Sequence, residues 1–225
     1  MVTARQRARE VTERAILEEA RRQLAEYGAA ALSLRAVARA VGLVSSAIYR
    51  YVSSREELLT RLIVEAYDAL GEQAEAAHAA AMAAGASPRG RWRAVWRAVR
   101  TWALAHPAEY SLIYGSPVPG YAAPVETVAP ATRVGWLLVV IIGEHGRAIP
   151  GPGAPPVIAP TAVPGLDAAI APAAIAVWTQ LIGTVSFELF GQYDNVVTDR
   201  ASYLDYVAEA AADFVGLPVE DGGPA

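Results

Sequence analysis

Apolar residues recur at three- and four-residue steps along most of the chain, and no segment shows the sustained alternation of a half-buried strand. The pattern predicts an all-α fold with about nine helices. We expect helices at 12–27, 33–41, 45–51, 55–84, 88–105, 108–114, 127 or 129 to 145, 173–191, and from 199 or 202 to 215. Residues 1–11 are predicted to form a mobile basic arm, and the Pro-rich segment 150–172 a linker.

The most specific local pattern lies between residues 33 and 59. Val37 and Val41 belong to one apolar stripe, and Gly42 follows at a position where helix ends often need a positive φ. A second short segment begins three residues later, at Ser45. Two short helices around such a turn are typical of a helix-turn-helix, whose second helix enters the DNA major groove.

Serines precede two of these predicted helices. Ser33 is expected to cap the first motif helix with its hydroxyl, and Ser54 to cap the helix that starts at Arg55. Glu57, three residues after Ser54, completes a predicted capping box. The apolar residues of the motif are expected to form a core: Leu34, Val37, Ala38, Val41, Leu43 and Ile48.

Several short segments of the first quarter of the chain occur at fixed spacing. They are Glu26-Tyr27-Gly28, residues 33–38, Val41-Gly42, residues 46–51 and residues 55–58. Together they resemble the N-terminal domain of TetR-type transcriptional repressors. Val52 stands where Phe is usual, and Arg55 where Lys is usual. The segments 102–110 and 177–189 resemble, more weakly, the ligand-binding region of a subgroup with a Trp-x-x-x-His-Gly pattern, but Ile182 replaces the His.

The resemblance implies a DNA-binding domain at 1–62 and a ligand-binding and dimerisation domain at 63–225. The short side chains of Ser45, Ser46 and Ala47 would approach base edges, and Arg50 would contact a guanine or a phosphate. The resemblance implies that Tyr49 and Arg55 contact DNA phosphates. Arg35 is expected to contact the DNA backbone or the edge of a groove, and Tyr51 lies either at the edge of the core or against DNA. Further candidate DNA contacts lie in the arm: Arg5, Arg7 and Arg9.

The second domain is expected to hold an aromatic pocket for a hydrophobic or aromatic effector. Its candidate ligand-binding residues are Trp96, Trp102, Tyr110, Tyr114, Trp136 and Trp178, with His106, Glu109, Gln180 and His145 as polar groups that orient the ligand. Helices 173–191 and 202–215 are predicted to form the homodimer interface. The expected function is a repressor that binds a palindromic operator as a dimer and is released by its effector.

Charge and composition agree with this hypothesis. Residues 1–61 hold eleven arginines and seven carboxylates, a net charge of +4, whereas residues 62–225 carry −8. There is no cysteine, and the three histidines lack the spacing of metal ligands. We therefore expect no metal site, no bound cofactor and no enzymatic activity. A charged N-terminus and an apolar run limited to 134–142 favour a cytoplasmic protein. An activator of the same architecture, and a helical carrier that does not bind DNA, remain alternatives.

Overall fold

The computed structural model describes residues 3–146 and 170–219. Eight α-helices and no strand occur in these ranges, which confirms the predicted all-α architecture. The helices are α1 (Ala4–Tyr27), α2 (Leu34–Ala40), α3 (Arg55–Ala83), α4 (Pro88–Ala105), α5 (Pro107–Tyr114), α6 (Val128–His145), α7 (Ala171–Leu189) and α8 (Arg200–Phe214).

The main differences from the prediction concern residues 45–51, the N-terminal arm and the Pro-rich segment. The segment 45–51 is not an α-helix but a turn followed by a short 3₁₀ helix, Ile48–Arg50, which accounts for eight α-helices in place of about nine. α1 begins at Ala4, so most of the predicted arm is helical. Most of the segment 150–172 lies outside the described residues, and its last two residues belong to the first turn of α7.

The chain divides into two compact units. The first, called the head, comprises residues up to Tyr67 together with His106–Val128. The second, called the body, comprises Asp68–Ala105 and the residues from Ala129 onward. α3 therefore contributes its first part to the head and its remainder to the body. The domain boundary between residues 62 and 63 stays a prediction. That prediction did not include residues 106–128 in the first domain, whereas the structure groups them with the head.

The core of the head is built from the motif residues as predicted. Leu34, Val37, Ala38 and Ile48 are buried, and Val41 and Leu43 pack against them half-buried. The core is completed by Ile16, Ala20, Leu32, Val52, Leu58, Leu59 and Leu62.

α5 and the segment that follows it add to this core. Leu112, Val118 and Tyr121 pack against the motif residues. The hydroxyls of Tyr121 and Thr60 lie 2.8 Å apart in a hydrogen bond, and Tyr67 donates to the Ile113 carbonyl at 3.1 Å. Sequence periodicity shows none of these contacts, because they join residues more than forty positions apart.

The body is a helical bundle in which α4, α7 and α8 pack against one another. Trp92 is fully buried and donates from Nε1 to the Ala208 carbonyl. A stripe of arginines along α4 pairs with carboxylates of α7 and α8. The pairs are Arg89 with Glu209 and Asp213, Arg93 with Glu209, Arg97 with Asp205, and Arg100 with Glu188.

One helical stretch of the described residues, Val125–His145, is apolar and long enough to cross a membrane by length and composition. Within it, α6 buries Val134 and Leu138 in the body. Arg133 of the same helix pairs with two carboxylates of α3. These contacts pack one side of α6 against other helices of the body.

Candidate nucleic-acid interface

The turn after α2 is fixed by its backbone. Gly42 has φ +73°, and a Cβ there would meet nothing within 4 Å, so the conformation rather than space requires glycine. The Leu43 amide donates to the Ala38 carbonyl at 2.8 Å. Ile48, fully buried, anchors the following segment to the core. The predicted turn is therefore present, and residues 45–50, called the projection, follow it at the surface of the head with Ile48 alone among them fully buried.

The exposed residues of this projection are the predicted DNA contacts. Ser45, Ser46, Tyr49 and Arg50 are exposed, and Ala47 is half-buried. Tyr49 keeps half of its surface exposed although it is a large aromatic residue. The surface thus offers small hydroxyls beside an aromatic and a guanidinium group, the side chains that read base edges and phosphates.

One groove lies on the side of this projection that faces the starts of α2 and α3. Arg35, Tyr49 and Arg55 all line it, together with Ser53 and Ser54. Three of the predicted contacts are thereby brought together, although they come from three separate segments. Arg35 is exposed, so its charge is available to a ligand.

Arg55 is placed differently from the prediction. Its guanidinium donates to the carbonyls of Leu32 at 3.0 Å, Ala29 at 2.8 Å and Ala30 at 3.2 Å. The side chain therefore ties the first turn of α3 to the loop before α2. The contact of Arg55 with a DNA phosphate stays a prediction. The structure shows in addition that Arg55 stabilises the head through these hydrogen bonds.

A second groove lies between the projection and the start of α1. Its lining includes Arg5, Arg9, Arg50 and Tyr51. Arg9 Nη2 donates to the Arg50 carbonyl at 3.5 Å, and its guanidinium lies 5.9 Å from the centre of the Tyr51 ring. Tyr51 itself is half-buried against the head core. The helical extension of α1 thus holds two arginines of the predicted arm beside the projection.

Hydroxyl groups and Glu57 fix the start of α3. Ser54 Oγ accepts from the Glu57 amide at 3.1 Å, as predicted. The Glu57 carboxylate reaches back to the Ser53 amide and hydroxyl at 2.6 Å, one residue earlier than expected. These bonds, with that of Arg61, lower the pKa of Glu57. Ser33 occupies the N-cap of α2, but its side chain makes no capping hydrogen bond to the described residues.

The six predicted ligand-binding residues are divided between the two units. Tyr110 and Tyr114 belong to the head, where their ring centres lie 5.1 Å apart. The others belong to the body: Trp96 and Trp102 are buried, Trp178 is half-buried and Trp136 is 40% exposed. Neither unit alone gathers all six.

Comparison with known proteins identifies the family. A family model described as bacterial regulatory proteins, tetR family, matches residues 16–62. A model of the tetracyclin repressor-like C-terminal domain matches residues 92–211, more than half of the chain. The chain belongs to the TetR family of transcriptional regulators. Its members are regulators and not enzymes, as predicted, and the helix-turn-helix makes this one a DNA-binding protein.

Relatives cover almost the whole length of the TetR-family regulator. HTH-type transcriptional regulator Rv1816 of Mycobacterium tuberculosis and Mb1846 of Mycobacterium bovis are each 41% identical over 223 residues, which cover 91% of this chain and 92% of the relative. The crystal structure of the regulatory protein SCO4313 is similar with a TM-score of 0.75 and 31% identity, over 94% of this chain and 100% of that one. PfmR from Thermus thermophilus, at 20% identity and a TM-score of 0.56, covers 91% of this chain and 99% of its own and shares the fold.

Proposed function

We propose that this TetR-family regulator is a cytoplasmic repressor that binds a palindromic operator as a homodimer and is released by a hydrophobic small molecule. The observation that carries the DNA-binding part is the projection at residues 45–50, which borders two separate grooves lined by arginines. A major groove is bordered by two phosphate backbones, so a reader needs cationic groups on both sides of the element that enters it.

The two grooves would supply those groups. Arg35 and Tyr49 would contact one backbone, and Arg5, Arg9 and Arg50 the other. Ser45 and Ser46, exposed at the tip, would lie closest to the base edges. Arg55 supports the first groove by holding its wall together.

A dimer follows from the size of the reading surface. One short projection contacts few base pairs, and regulators of this geometry gain specificity by binding two half-sites about 34–36 Å apart. The outer surfaces of α7 and α8, within the predicted ranges 173–191 and 202–215, expose Phe187, Tyr206 and Phe214. Gly183 on α7 leaves open space where a side chain would stand, which suits close helix packing.

The effector site is proposed within the body. The Nε1 atoms of Trp96 and Trp178 are buried and find no hydrogen-bond partner among the described residues. Buried donors without partners are uncommon in native proteins and favour an acceptor supplied by a ligand or water. An effector with an apolar surface and one or more acceptor oxygens fits these two indole groups.

Selection of bound DNA from a random pool tests the proposal directly. We expect an enriched palindrome whose affinity falls steeply with salt. Arg35→Ala and Arg50→Ala should each lower affinity about tenfold or more and reduce the salt dependence, because each removes a cationic contact.

Arg39→Ala is the matched control. Arg39 is an exposed arginine of α2 and lines neither groove, so its loss removes the same charge but no proposed contact. No enrichment with dimeric protein, or equal losses for all three variants, would contradict the proposed surface. Repression is tested with a reporter placed behind the selected operator.

A further inference from the structure

Arg91 on α4 is a buried arginine whose charge is not closely paired. Its side chain is only 10% exposed, and its carboxylate partner, Glu144 at the end of α6, lies 3.5 Å away and is half exposed. Its Nη2 lies against His145 Nε2. Its Nε is buried and has no hydrogen-bond partner in the part of the chain that the structure describes.

Arg89, two residues earlier, shows how the same helix treats an equally buried arginine. Its side chain is 8% exposed. It donates to the carboxylates of Glu209 and Asp213 and to two backbone carbonyls. A buried charge costs several kcal/mol unless it is paired and hydrogen-bonded. Among the described residues, Arg89 meets this condition fully, and Arg91 meets it only in part, through Glu144 at 3.5 Å and through His145.

His78 on α3 adds a second unpartnered nitrogen to this place. Its Nε2 is buried and lacks a partner among the described residues. Burial and the positive charge of Arg91 lower its pKa, and only Glu144 opposes them, so the ring is neutral at neutral pH. Since arginine can only donate, His145 Nε2 must accept from Arg91. The cluster of His78, Arg91, Glu144 and His145, called the Arg91 cluster, has hydrogen-bonding nitrogens in excess of acceptors.

We propose that the Arg91 cluster is an oxyanion site that binds the carboxylate group of the effector. One carboxylate oxygen would accept from Arg91 Nε. The other would accept from His78 Nε2, in the neutral tautomer that carries its hydrogen on Nε2. The bound charge would neutralise Arg91, which Glu144 does only at a distance. The role as effector site rests on the proposed function, whereas binding of the oxyanion does not. The effector is then an acid with an apolar body.

Titration of the full-length protein with decanoate tests the site, with 1-decanol as the uncharged match and decyl phosphate as the phosphate alternative. Arginine and histidine side-chain nitrogens are followed by NMR, and affinity by calorimetry. Decanoate should shift the Arg91 Nε–H and His78 resonances, and 1-decanol should not. Arg91→Gln should weaken decanoate binding about tenfold or more, the usual effect of losing a hydrogen bond to a charged group.

Two variants separate binding from folding. Arg97→Gln, on the same helix but exposed and paired with Asp205, should leave decanoate affinity unchanged. Glu144→Gln should raise it several-fold, because a competing carboxylate is removed, and a purely structural cluster would not show this gain. If Arg91→Gln does not fold, the Glu144→Gln gain and the resonances of the wild type decide the question.

Three outcomes would overturn the proposal. They are equal affinity for decanoate and 1-decanol, unchanged decanoate affinity in Arg91→Gln, and tighter binding of decyl phosphate than of decanoate. Because the titration is made without DNA, it is independent of operator selection. If decanoate binds at Arg91 but does not release operator DNA, the oxyanion site is supported and its regulatory role is overturned.

Discussion

Arg55 ties the start of α3 to three backbone carbonyls that precede α2. The carbonyls of Ala29, Ala30 and Leu32 belong to a short 3₁₀ turn and the residue after it. The Ala29 carbonyl also accepts from the Leu32 amide at 3.3 Å, and the planar guanidinium reaches several carbonyls at once. Lysine offers a single point charge on a flexible chain, so it keeps the charge at the groove but loses this geometry.

We therefore expect Arg55→Lys to lower the free energy of unfolding by about 1–2 kcal/mol and to leave operator affinity within about twofold. Urea denaturation and DNA titration measure the two quantities. Arg39→Lys, an exposed change of the same kind, should alter neither. A stable Arg55→Lys variant that binds operator poorly would instead favour the phosphate contact that the family resemblance implies.

Residue roles divide into those that the sequence determines locally and those it does not. Gly42 was predicted to need a positive φ, and its φ of +73° confirms this, because the requirement comes from the helix end itself. Arg55 was predicted only as a phosphate contact, since its acceptors lie 23–26 positions earlier in the chain. No pattern around Arg91 or His78 marks them, because their environment comes from three different helices.

At the scale of helices, Gly71 allows a contact between α3 and α6. A Cβ on Gly71 would lie 2.6 Å from Arg133 Nε and 2.9 Å from Arg133 Cβ. Arg133 donates to Glu75 at 2.7 and 2.9 Å and to Asp68 at 2.8 Å. The hydrogen bond from Arg133 lowers the pKa of Glu75. Glycine in a helix interior is costly, so a close neighbour is the physical reason for it here.

Gly71→Ala should lower the free energy of unfolding by about 1–2 kcal/mol, because displacement of Arg133 outweighs the gain of about 1 kcal/mol in helix propensity. Denaturant unfolding measures the change. Gly143→Ala on α6 is the control, since a Cβ there meets nothing within 4 Å, and it should be neutral or stabilising. Stabilisation by Gly71→Ala would show that Arg133 moves aside without loss.

Helix positions were predictable wherever an apolar stripe was present. α4 has the predicted bounds, Pro88–Ala105. The first turns of α1 were missed because they are polar: Thr3 caps them at 3.2 Å, and an Arg9–Glu13 pair at 2.9 Å supports them. Residues 45–51 were predicted as a helix, but Ser45 and Ser46 favour turns over helix interiors, and only a 3₁₀ helix forms.

At the scale of the whole molecule, the charge difference between the two ends of the chain pointed to a DNA reader that overall net charge concealed. The division into units is less visible in sequence. His106–Val128 joins the head through Leu112, Val118 and Tyr121, and these apolar residues carry no sign of which neighbour they will contact. Membership in a unit depends on tertiary packing, which hydrophobic periodicity does not encode.

The proposed dimer depends on an aromatic row along α7, the following loop and α8. Ring centres of Phe187 and Tyr193 lie 5.7 Å apart, those of Tyr193 and Tyr203 5.4 Å, and those of Tyr203 and Tyr206 6.3 Å. Tyr206 ends the row and is 71% exposed. Thr184 and Ala211, small residues within the two helices predicted to form the interface, are buried within the chain itself, so the interface proposal rests on the aromatic row.

Tyr206→Glu should weaken dimerisation about 100-fold, because a carboxylate placed in a desolvated aromatic interface has no partner. Sedimentation velocity over a concentration series measures the shift. Operator affinity should fall with it, because two half-sites are no longer bound by one particle. Val196→Glu, at an apolar position that is 75% exposed in the loop between α7 and α8, is the matched control. If Tyr206→Glu dimerises as the wild type does, the interface lies elsewhere, and the spacing of the two projections must be set by other contacts.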